Sequence, residues 1–455
     1  MVFYRAMTKN NDKKIPTTVG IVPLGCPKNM VDSERILAEL AQTDFAITAD
    51  YNEADIVIVN TCGFIEPAKQ ESLGIIADLV ELKKQQKIKK IIVAGCLAER
   101  LGKELFDCVD GIDAIVGLAE RDNIAKIARQ VINSDNCCSF MAEKNQIVAD
   151  DRVRLRITPQ HWSYLRISEG CNHKCSFCTI PAIRGRFQSK KQSIILQEAE
   201  ELAESGVKEL NIIAQDTAYY GKDIALKDGL SQLLTKLEKI ASIDWIRVMY
   251  LYPLGITDRL INTIKKSDKI LHYIDMPVQH INNKILKDMY RPDTKEQIYQ
   301  LIEKLKEQID GLVLRTTIIV GFPGETDEQF QELLDFVKWA QFDALGAFTY
   351  YAEQGTDAAE MKNQVPDEIK QQRLDKLMLA QQEIVFEKNK NKVGSELLCL
   401  VDSVDQQKCG TARYYGQAPE IDSVCIINDC NAVAGEFIKT KVTDYDNYDL
   451  IVEQI

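Results

Sequence analysis

The chain reads as an α/β protein in three parts: an open parallel sheet, a partial (βα)6 barrel of the TIM type, and a small OB-like β-barrel at the carboxyl end. Three observations predict this. Short apolar runs alternate with amphipathic stretches from residue 17 to 135, a second series of six such units runs from 161 to 365, and residues 394–455 carry short β-rich runs separated by turn signals. A length of 455 residues accommodates two to four domains, and 45% hydrophobic residues suit ordinary globular cores.

In the first part, 19–23, 54–60 and 90–95 are apolar runs short enough for buried strands, and 112–117 is a fourth. Amphipathic stretches such as 32–40 separate them, which is the βαβα pattern of a parallel sheet. Residues 1–16 mix Arg5, Lys9, Lys13 and Lys14 with polar residues and have no apolar core, so they read as a disordered leader rather than a signal peptide. Residues 136–160 are polar and aperiodic and read as a linker.

The second part has strands expected at 164–169, 209–215, 245–252, 272–279, 312–320 and 344–351, with helical patterns such as 327–340 between them. Chemistry in such a barrel belongs at the carboxyl ends of the strands. Residues 366–393, rich in Gln, Lys and Leu, read as one connecting helix. In the tail, 397–401, 424–427 and 437–442 are strand-like.

No run of eighteen apolar residues exists, so no membrane-spanning helix is expected. A reducing, cytoplasmic setting makes thirteen cysteines better metal ligands than disulfides. The formal charge of −12 argues against general affinity for nucleic acid and suits a basic protein partner.

Directly after the first barrel strand comes Cys171-Asn172-His173-Lys174-Cys175-Ser176-Phe177-Cys178. Three thiolates this close together hold three irons of a 4Fe–4S cluster and leave the fourth without a protein ligand. An open position is what a catalytic metal centre keeps. Zinc sites pair a C-x-x-C with a distant second pair, which this run lacks.

A second set is hidden by separation. Cys26, Cys62 and Cys96 lie 36 and 34 residues apart, yet each follows an expected strand of the first sheet. Parallel strands end on one edge, so the three converge, with Gly25, Gly63 and Gly95 beside them to admit a bulky cluster. The other cysteines (Cys108, Cys137, Cys138, Cys399, Cys409, Cys425, Cys430) form no such pattern.

These segments resemble the methylthiotransferase family of radical S-adenosylmethionine enzymes over nearly the whole chain from residue 17. Leu24-Gly25-Cys26-Pro27-Lys28-Asn29, Asn60-Thr61-Cys62-Gly63-Phe64 and Ala94-Gly95-Cys96-Leu97 are similar to its amino-terminal signatures. Ser168-Glu169-Gly170-Cys171, Cys175-Ser176-Phe177-Cys178 and Ile180-Pro181-Ala182-Ile183-Arg184-Gly185 are similar to its radical centre. Asp275-Met276-Pro277-Val278-Gln279-His280, Gly321-Phe322-Pro323-Gly324-Glu325 and Pro419-Glu420-Ile421-Asp422 resemble the branch that modifies the β-carbon of an aspartate on small-subunit ribosomal protein S12.

The resemblance implies two 4Fe–4S clusters, one on Cys171, Cys175 and Cys178 and an auxiliary one on Cys26, Cys62 and Cys96. It also implies S-adenosylmethionine as cosubstrate, a radical SAM barrel and a carboxyl-terminal TRAM domain. One S-adenosylmethionine methylates sulfur on the auxiliary cluster, and a second is cleaved to the radical that removes hydrogen from the aspartate carbon. The cofactor carries this hard step, because an unactivated C–H bond is beyond acid–base chemistry at neutral pH. An electron donor and a sulfur source complete the partners. Within the cosubstrate pocket, Gln215 and Asp216 would meet the ammonium of the methionine moiety. Gly321, Gly324 and Glu325 would form a turn near the adenine, and Gln279 and Arg291 would serve ribose and carboxylate. Lys190 stands where relatives show arginine and cannot form the bidentate fork, so it has no assigned role. Ser423 stands where a glycine is usual.

Two rivals have different signatures. A tRNA methylthiotransferase needs a basic tail to grip phosphate. Residues 394–455 instead hold four Lys and Arg against eleven Asp and Glu, a net of −7. A non-catalytic iron–sulfur scaffold would need neither the barrel nor Gln215.

Overall fold

The computed structural model describes residues 16–142 and 150–455; the expected leader lies, up to residue 15, outside them, as does part of the expected linker. The first sheet has six strands: β1 (Thr18–Pro23), β2 (Ala46–Ile47), β3 (Ile56–Thr61), β4 (Lys90–Gly95), β5 (Ala114–Val116) and β6 (Cys138–Phe140). All are parallel, in the order β2-β1-β3-β4-β5-β6. Helices cover both faces, which is why β3 is buried along its whole length and reads Ile56-Val57-Ile58-Val59 without alternation. The order reverses between β1 and β3, and the crevice at such a switch point is where open α/β sheets bind ligands.

β2 and β6 are absent from the sequence reading. Cys138–Phe140, read there as linker, pairs with β5 and extends the sheet. Strands of two and three half-buried residues are too short to show a period.

The second sheet is the partial barrel. β7 (Trp162–Arg166), β10 (Glu209–Ile213), β11 (Trp245–Val248), β12 (Ile270–Asp275), β13 (Val313–Val320) and β14 (Ala344–Thr349) are parallel and lie side by side in chain order. A short ribbon of β8 (Ser168–Glu169) and β9 (Gln188–Ser189) follows β7. The main core fills the space between these strands and the outer helices.

Helix Asp367–Lys392 leads to a closed barrel of β15 (Glu396–Val404), β16 (Gly410–Tyr414), β17 (Cys425–Ile427), β18 (Phe437–Asp446) and β19 (Asp449–Gln454). Pairing of β15 with β18 closes it. Ser423 adopts ordinary backbone and its hydroxyl accepts from Gln417, so no glycine is required there.

The small barrel docks on the amino ends of the large one. Arg413 pairs with Glu209 at 2.6 Å, Arg247 pairs with the same carboxylate at 3.0 Å, and Arg247 also donates to the Tyr415 carbonyl at 2.7 Å. Tyr164 and Tyr273 donate to Glu420 and Asp422 at 3.0 and 2.7 Å. Removing one partner of a buried ion network leaves charge uncompensated. Glu209→Gln is therefore expected to lower the unfolding free energy by about 3 kcal/mol in urea titration; a change below about 0.5 kcal/mol, the range of neutral surface substitutions, would show that the network carries no weight. Docking also turns Asp402 and Asp422 inward, yet Glu396, Asp405, Asp429, Glu436, Asp444, Asp446 and Glu453 remain exposed, so the tail's surface stays acidic. No helix among the described residues is long and apolar enough to cross a membrane.

Candidate active site

Cys26, Cys62 and Cys96 stand at the carboxyl ends of β1, β3 and β4, flanking the switch point. Cys26 precedes helix α1 (Pro27–Ala41), and Cys96 opens the helix 96–101. Asn29 ties the strand ends together by donating to the carbonyls of Leu24, Asn60 and Thr61 at 2.7, 3.1 and 3.0 Å. The neighbouring glycines serve the chain's own closure rather than the approach of a cluster. A Cβ on Gly25 would lie 2.7 Å from Cys62 Cβ, and one on Gly95 would strike Asn60 and Thr61, with φ of +88° and +92° besides.

Cys171, Cys175 and Cys178 share a cleft of about 430 Å³ at the carboxyl end of β7. The loop is fixed by its backbone: Cys171 N–H donates to Gly185, and Ser176 N–H to Met289, each at 3.1 Å.

All thirteen cysteines are free thiols. Burial pushes the Cys96 thiol up to about 12 and Cys171 up to about 11, and it also raises Cys62, Cys175 and Cys178. Such thiols are inert until a metal displaces the proton. Among the described residues, no three His, Cys, Asp or Glu side chains are placed to hold a single metal ion. Three thiols at each site and no fourth suit a cluster in which each cysteine binds a different iron.

A buried polar network runs from Cys96 to Glu169, two residues before Cys171, and the sequence reading did not find it. Arg184 donates from Nε to Cys96 Sγ at 3.3 Å, from Nη1 to Glu169 at 3.1 Å, and from Nη2 to Asp32 at 3.0 Å and Asn29 at 3.2 Å. Arg166 bridges Asp32, Asp151 and Glu169 at 2.7, 2.6 and 2.9 Å. Arg121 completes the set on Asp32. Arg184 lies in a quoted motif, but apart from Glu169 its partners are 88 to 155 residues away, so little that is local marks its role. Lys28, also buried, lies with Nζ 3.8 Å from the ring centre of Tyr250. Tyr250 holds a φ of +60°, strain of the kind found at functional sites.

Burial alone would raise the carboxyls of Asp32 and Asp151. The arginines around Asp32, and Arg166 with Lys190 around Asp151, outweigh it and hold both below the usual range. A depressed folded-state pKa gives stability that is complete above the unfolded value near 3.8 and lost as pH falls toward the folded one. Below about pH 5 the unfolding free energy is expected to drop by up to about 2.7 kcal/mol per pH unit from this pair. Denaturant titration from pH 6 to 3 checks this, and Asp32→Asn should flatten the slope; an unchanged slope would show that Asp32 is not held ionised.

The expected cosubstrate residues divide. Asp216 stands behind the cleft wall, its Oδ2 meeting Nε2 of the cleft-lining His173 at 2.7 Å, and Gln215 donates to Glu169 at 2.9 Å. Gln215 Oε1, Asp216 Oδ1 and Ser168 Oγ are buried without a hydrogen-bond partner among the described residues. Orphaned acceptors beside a cleft fit a ligand that brings its own donors. Gln279, with φ +68°, lines a second, apolar cavity of about 150 Å³ with Phe64, Phe177 and Tyr350. Arg291 stacks on the Tyr252 ring at 4.2 Å, donates to Pro277 at 2.9 Å and lies beside Cys175.

Glu325 and Gly321 depart from expectation. The Glu325 carboxylate is fully buried, pairing with Arg373 at 2.8 Å and His280 at 3.3 Å and accepting from Gly321 N–H at 3.0 Å, so it braces its own turn. Gly321 packs on helix Asp367–Lys392, where a Cβ would lie 2.3 Å from Lys370. Gly324, at φ +80°, donates to Asn363. Lys190 is buried between Asp151 and Glu198 at 2.8 and 2.7 Å.

Residues 165–337 match the radical SAM superfamily, 18–117 match a family described only as uncharacterized protein family UPF0004, and 393–455 match the TRAM domain. The chain is 45% identical to the ribosomal protein uS12 methylthiotransferase RimO of Clostridioides difficile over 95% of its length and 98% of that protein's. It is 42% identical to the protein of the same name in Geobacter sulfurreducens, over 96% and 98%. Among solved structures, TsrM of Kitasatospora setae, a radical S-adenosylmethionine methyltransferase, superposes with a TM-score of 0.54 at 13% identity over 76% of this chain and 77% of that one, a likeness of fold.

Proposed function

The chain belongs to the RimO family of radical S-adenosylmethionine methylthiotransferases, and from this premise we propose that it adds a methylthio group to the β-carbon of an aspartate on small-subunit ribosomal protein uS12, in the cytoplasm. The observation that carries the reading is the pair of cysteine triads, one at the sheet's switch point and one at a barrel strand end, with Arg184 spanning from Cys96 to Glu169 between them.

Cys171, Cys175 and Cys178 would hold the 4Fe–4S cluster that works with S-adenosylmethionine, and Cys26, Cys62 and Cys96 a second cluster that carries the sulfur. When bound, these groups supply the one-electron chemistry that breaks an unactivated C–H bond, and the sulfur that replaces the hydrogen. The chain's own residues position and shield. Gln215 Oε1 and Asp216 Oδ1 are acceptors waiting for an ammonium, and the cosubstrate's methionine moiety brings one. His173 steadies Asp216 and stacks on Tyr252 with ring centres 4.0 Å apart. The apolar cavity beside Gln279 suits an adenine face.

Glu353 clamps the first sheet to the barrel, pairing with Arg100 at 2.8 Å and accepting from Glu66 N–H at 2.7 Å. Arg184, together with Arg166 and Arg121, offsets the charges of Asp32 and Glu169 while donating to Cys96. An external electron donor and a sulfur source complete the reaction.

The exposed acids of the small barrel favour a basic protein over tRNA as substrate. Anaerobically reconstituted protein, given S-adenosylmethionine, sulfide, reductant and either uS12 or tRNA, tests this. A methylthio adduct on a uS12 aspartate by mass spectrometry is expected; an adduct on tRNA alone would overturn the substrate.

A further inference from the structure

We propose that Lys28 binds the side-chain carboxylate of the aspartate being modified. The inference rests on the function proposed above and adds the residue that recognises the reacting group.

Lys28 is the second residue of α1, directly after Cys26 and Pro27. Only 8% of it is exposed. Its ammonium lies 3.8 Å from the Tyr250 ring centre and within electrostatic reach of one cysteine of each triad, Cys26 and Cys171. It is therefore coupled electrostatically to both sites, between which the reacting carbon must lie.

No carboxylate among the described residues pairs with it, although the Cys26 thiolate lies within electrostatic reach. Lys28 makes no salt bridge or hydrogen bond there, and its one polar contact is the Tyr250 ring. The acids around it are already spoken for. Glu169 is held by Arg166, Arg184 and Gln215, and Asp275 by Arg315 at 3.0 Å and by the Tyr250 N–H at 3.0 Å. The first turn of α1 contains no acidic residue and no side-chain cap. Burying a cation without a counter-ion is costly, and the cost is recovered when an anion arrives. The strained backbone of Tyr250 holds the ring beneath the ammonium, and a cation–π contact fixes its direction without consuming its hydrogen-bond donors.

Substrate chemistry supplies the anion. In aspartate the carbon that loses hydrogen is bonded directly to the carboxylate carbon. Pinning the carboxylate to Lys28 therefore fixes that carbon within one bond and excludes neighbouring side chains from the same place. A neutral residue of the same shape, asparagine, would leave the ammonium unmatched.

The test uses anaerobically reconstituted holoenzyme and two uS12 peptides, one with the target aspartate and one with asparagine in its place. Dissociation constants are measured by fluorescence anisotropy, and modification of the first peptide by mass spectrometry. Wild-type protein is expected to bind the aspartate peptide on the order of tenfold to a hundredfold more tightly, the range of a charge-assisted hydrogen bond. Lys28→Gln should bring the two peptides within about twofold, a difference of roughly 0.4 kcal/mol. Lys28→Arg keeps the charge and should keep the preference. Tyr250→Leu, a second variant in case Lys28→Gln fails to fold, should lower it several-fold.

A preference that survives both Lys28→Gln and Tyr250→Leu overturns the proposal. So does a wild-type enzyme that modifies the aspartate peptide without preferring it over asparagine, since Lys28 would then only balance the charge of the thiolates. A wild-type enzyme that modifies no uS12 aspartate would instead sink the proposed function, and this inference with it.

Discussion

Alanine at Cys171, Cys175 or Cys178 is expected to abolish both cleavage of S-adenosylmethionine and formation of product, while alanine at Cys26, Cys62 or Cys96 leaves cleavage measurable and stops methylthio transfer. The reason is spatial. The first triad lines its own cleft, backed by Asp216 through His173, whereas the second stands on a different sheet, beyond Arg184. On the proposed function each cysteine would be the sole ligand its iron takes from the chain, and alanine offers none. Chromatography of 5′-deoxyadenosine and mass spectrometry of uS12, run on the same anaerobic samples, separate the two losses. Product from a Cys62→Ala enzyme would refute a role for the second triad.

Arg184→Leu is expected to lose about 3–5 kcal/mol of stability, because it strands buried carboxylates that no longer have their full set of partners. Arg166 and Arg121 still face Asp32, which places the effect toward the lower end of that range. Transfer should fail as well, since the same guanidinium donates to Cys96 and holds Glu169 against Gln215. Lysine is a poor replacement, as it lacks the planar fork that reaches three groups at once. Urea titration of the metal-free protein measures the stability without interference from cluster loss. A midpoint equal to wild type would mean that the network is dispensable for folding.

Much of this was legible because it is written locally. The three-cysteine run after β7 places its ligands within eight residues, and buried parallel strands announce themselves as unbroken Val and Ile. The second triad was legible by a longer route: strand ends of a parallel sheet share an edge, so Cys26, Cys62 and Cys96 converge although they are far apart in sequence. Short edges were not legible. β6 has three residues, and its pairing with β5 is decided by the neighbour rather than by its own composition.

Side-chain direction was the other blind spot. Glu325 sits in a glycine-containing turn at a strand end, which reads as a ligand contact; only the packing of helix Asp367–Lys392, which brings Arg373 to it, turns the carboxylate inward. Arg184 and Lys28 are the converse. Each lies in a recognisable motif, but their partners come from the other sheet. Sequence by itself determined the longer strands, their parallel order and the grouping of six cysteines into two triads, because hydrophobic period is local and parallel strand ends share an edge. Tertiary structure alone decided which charges are matched within the chain and which are not, because a buried charge is defined by neighbours that arrive from anywhere in the chain.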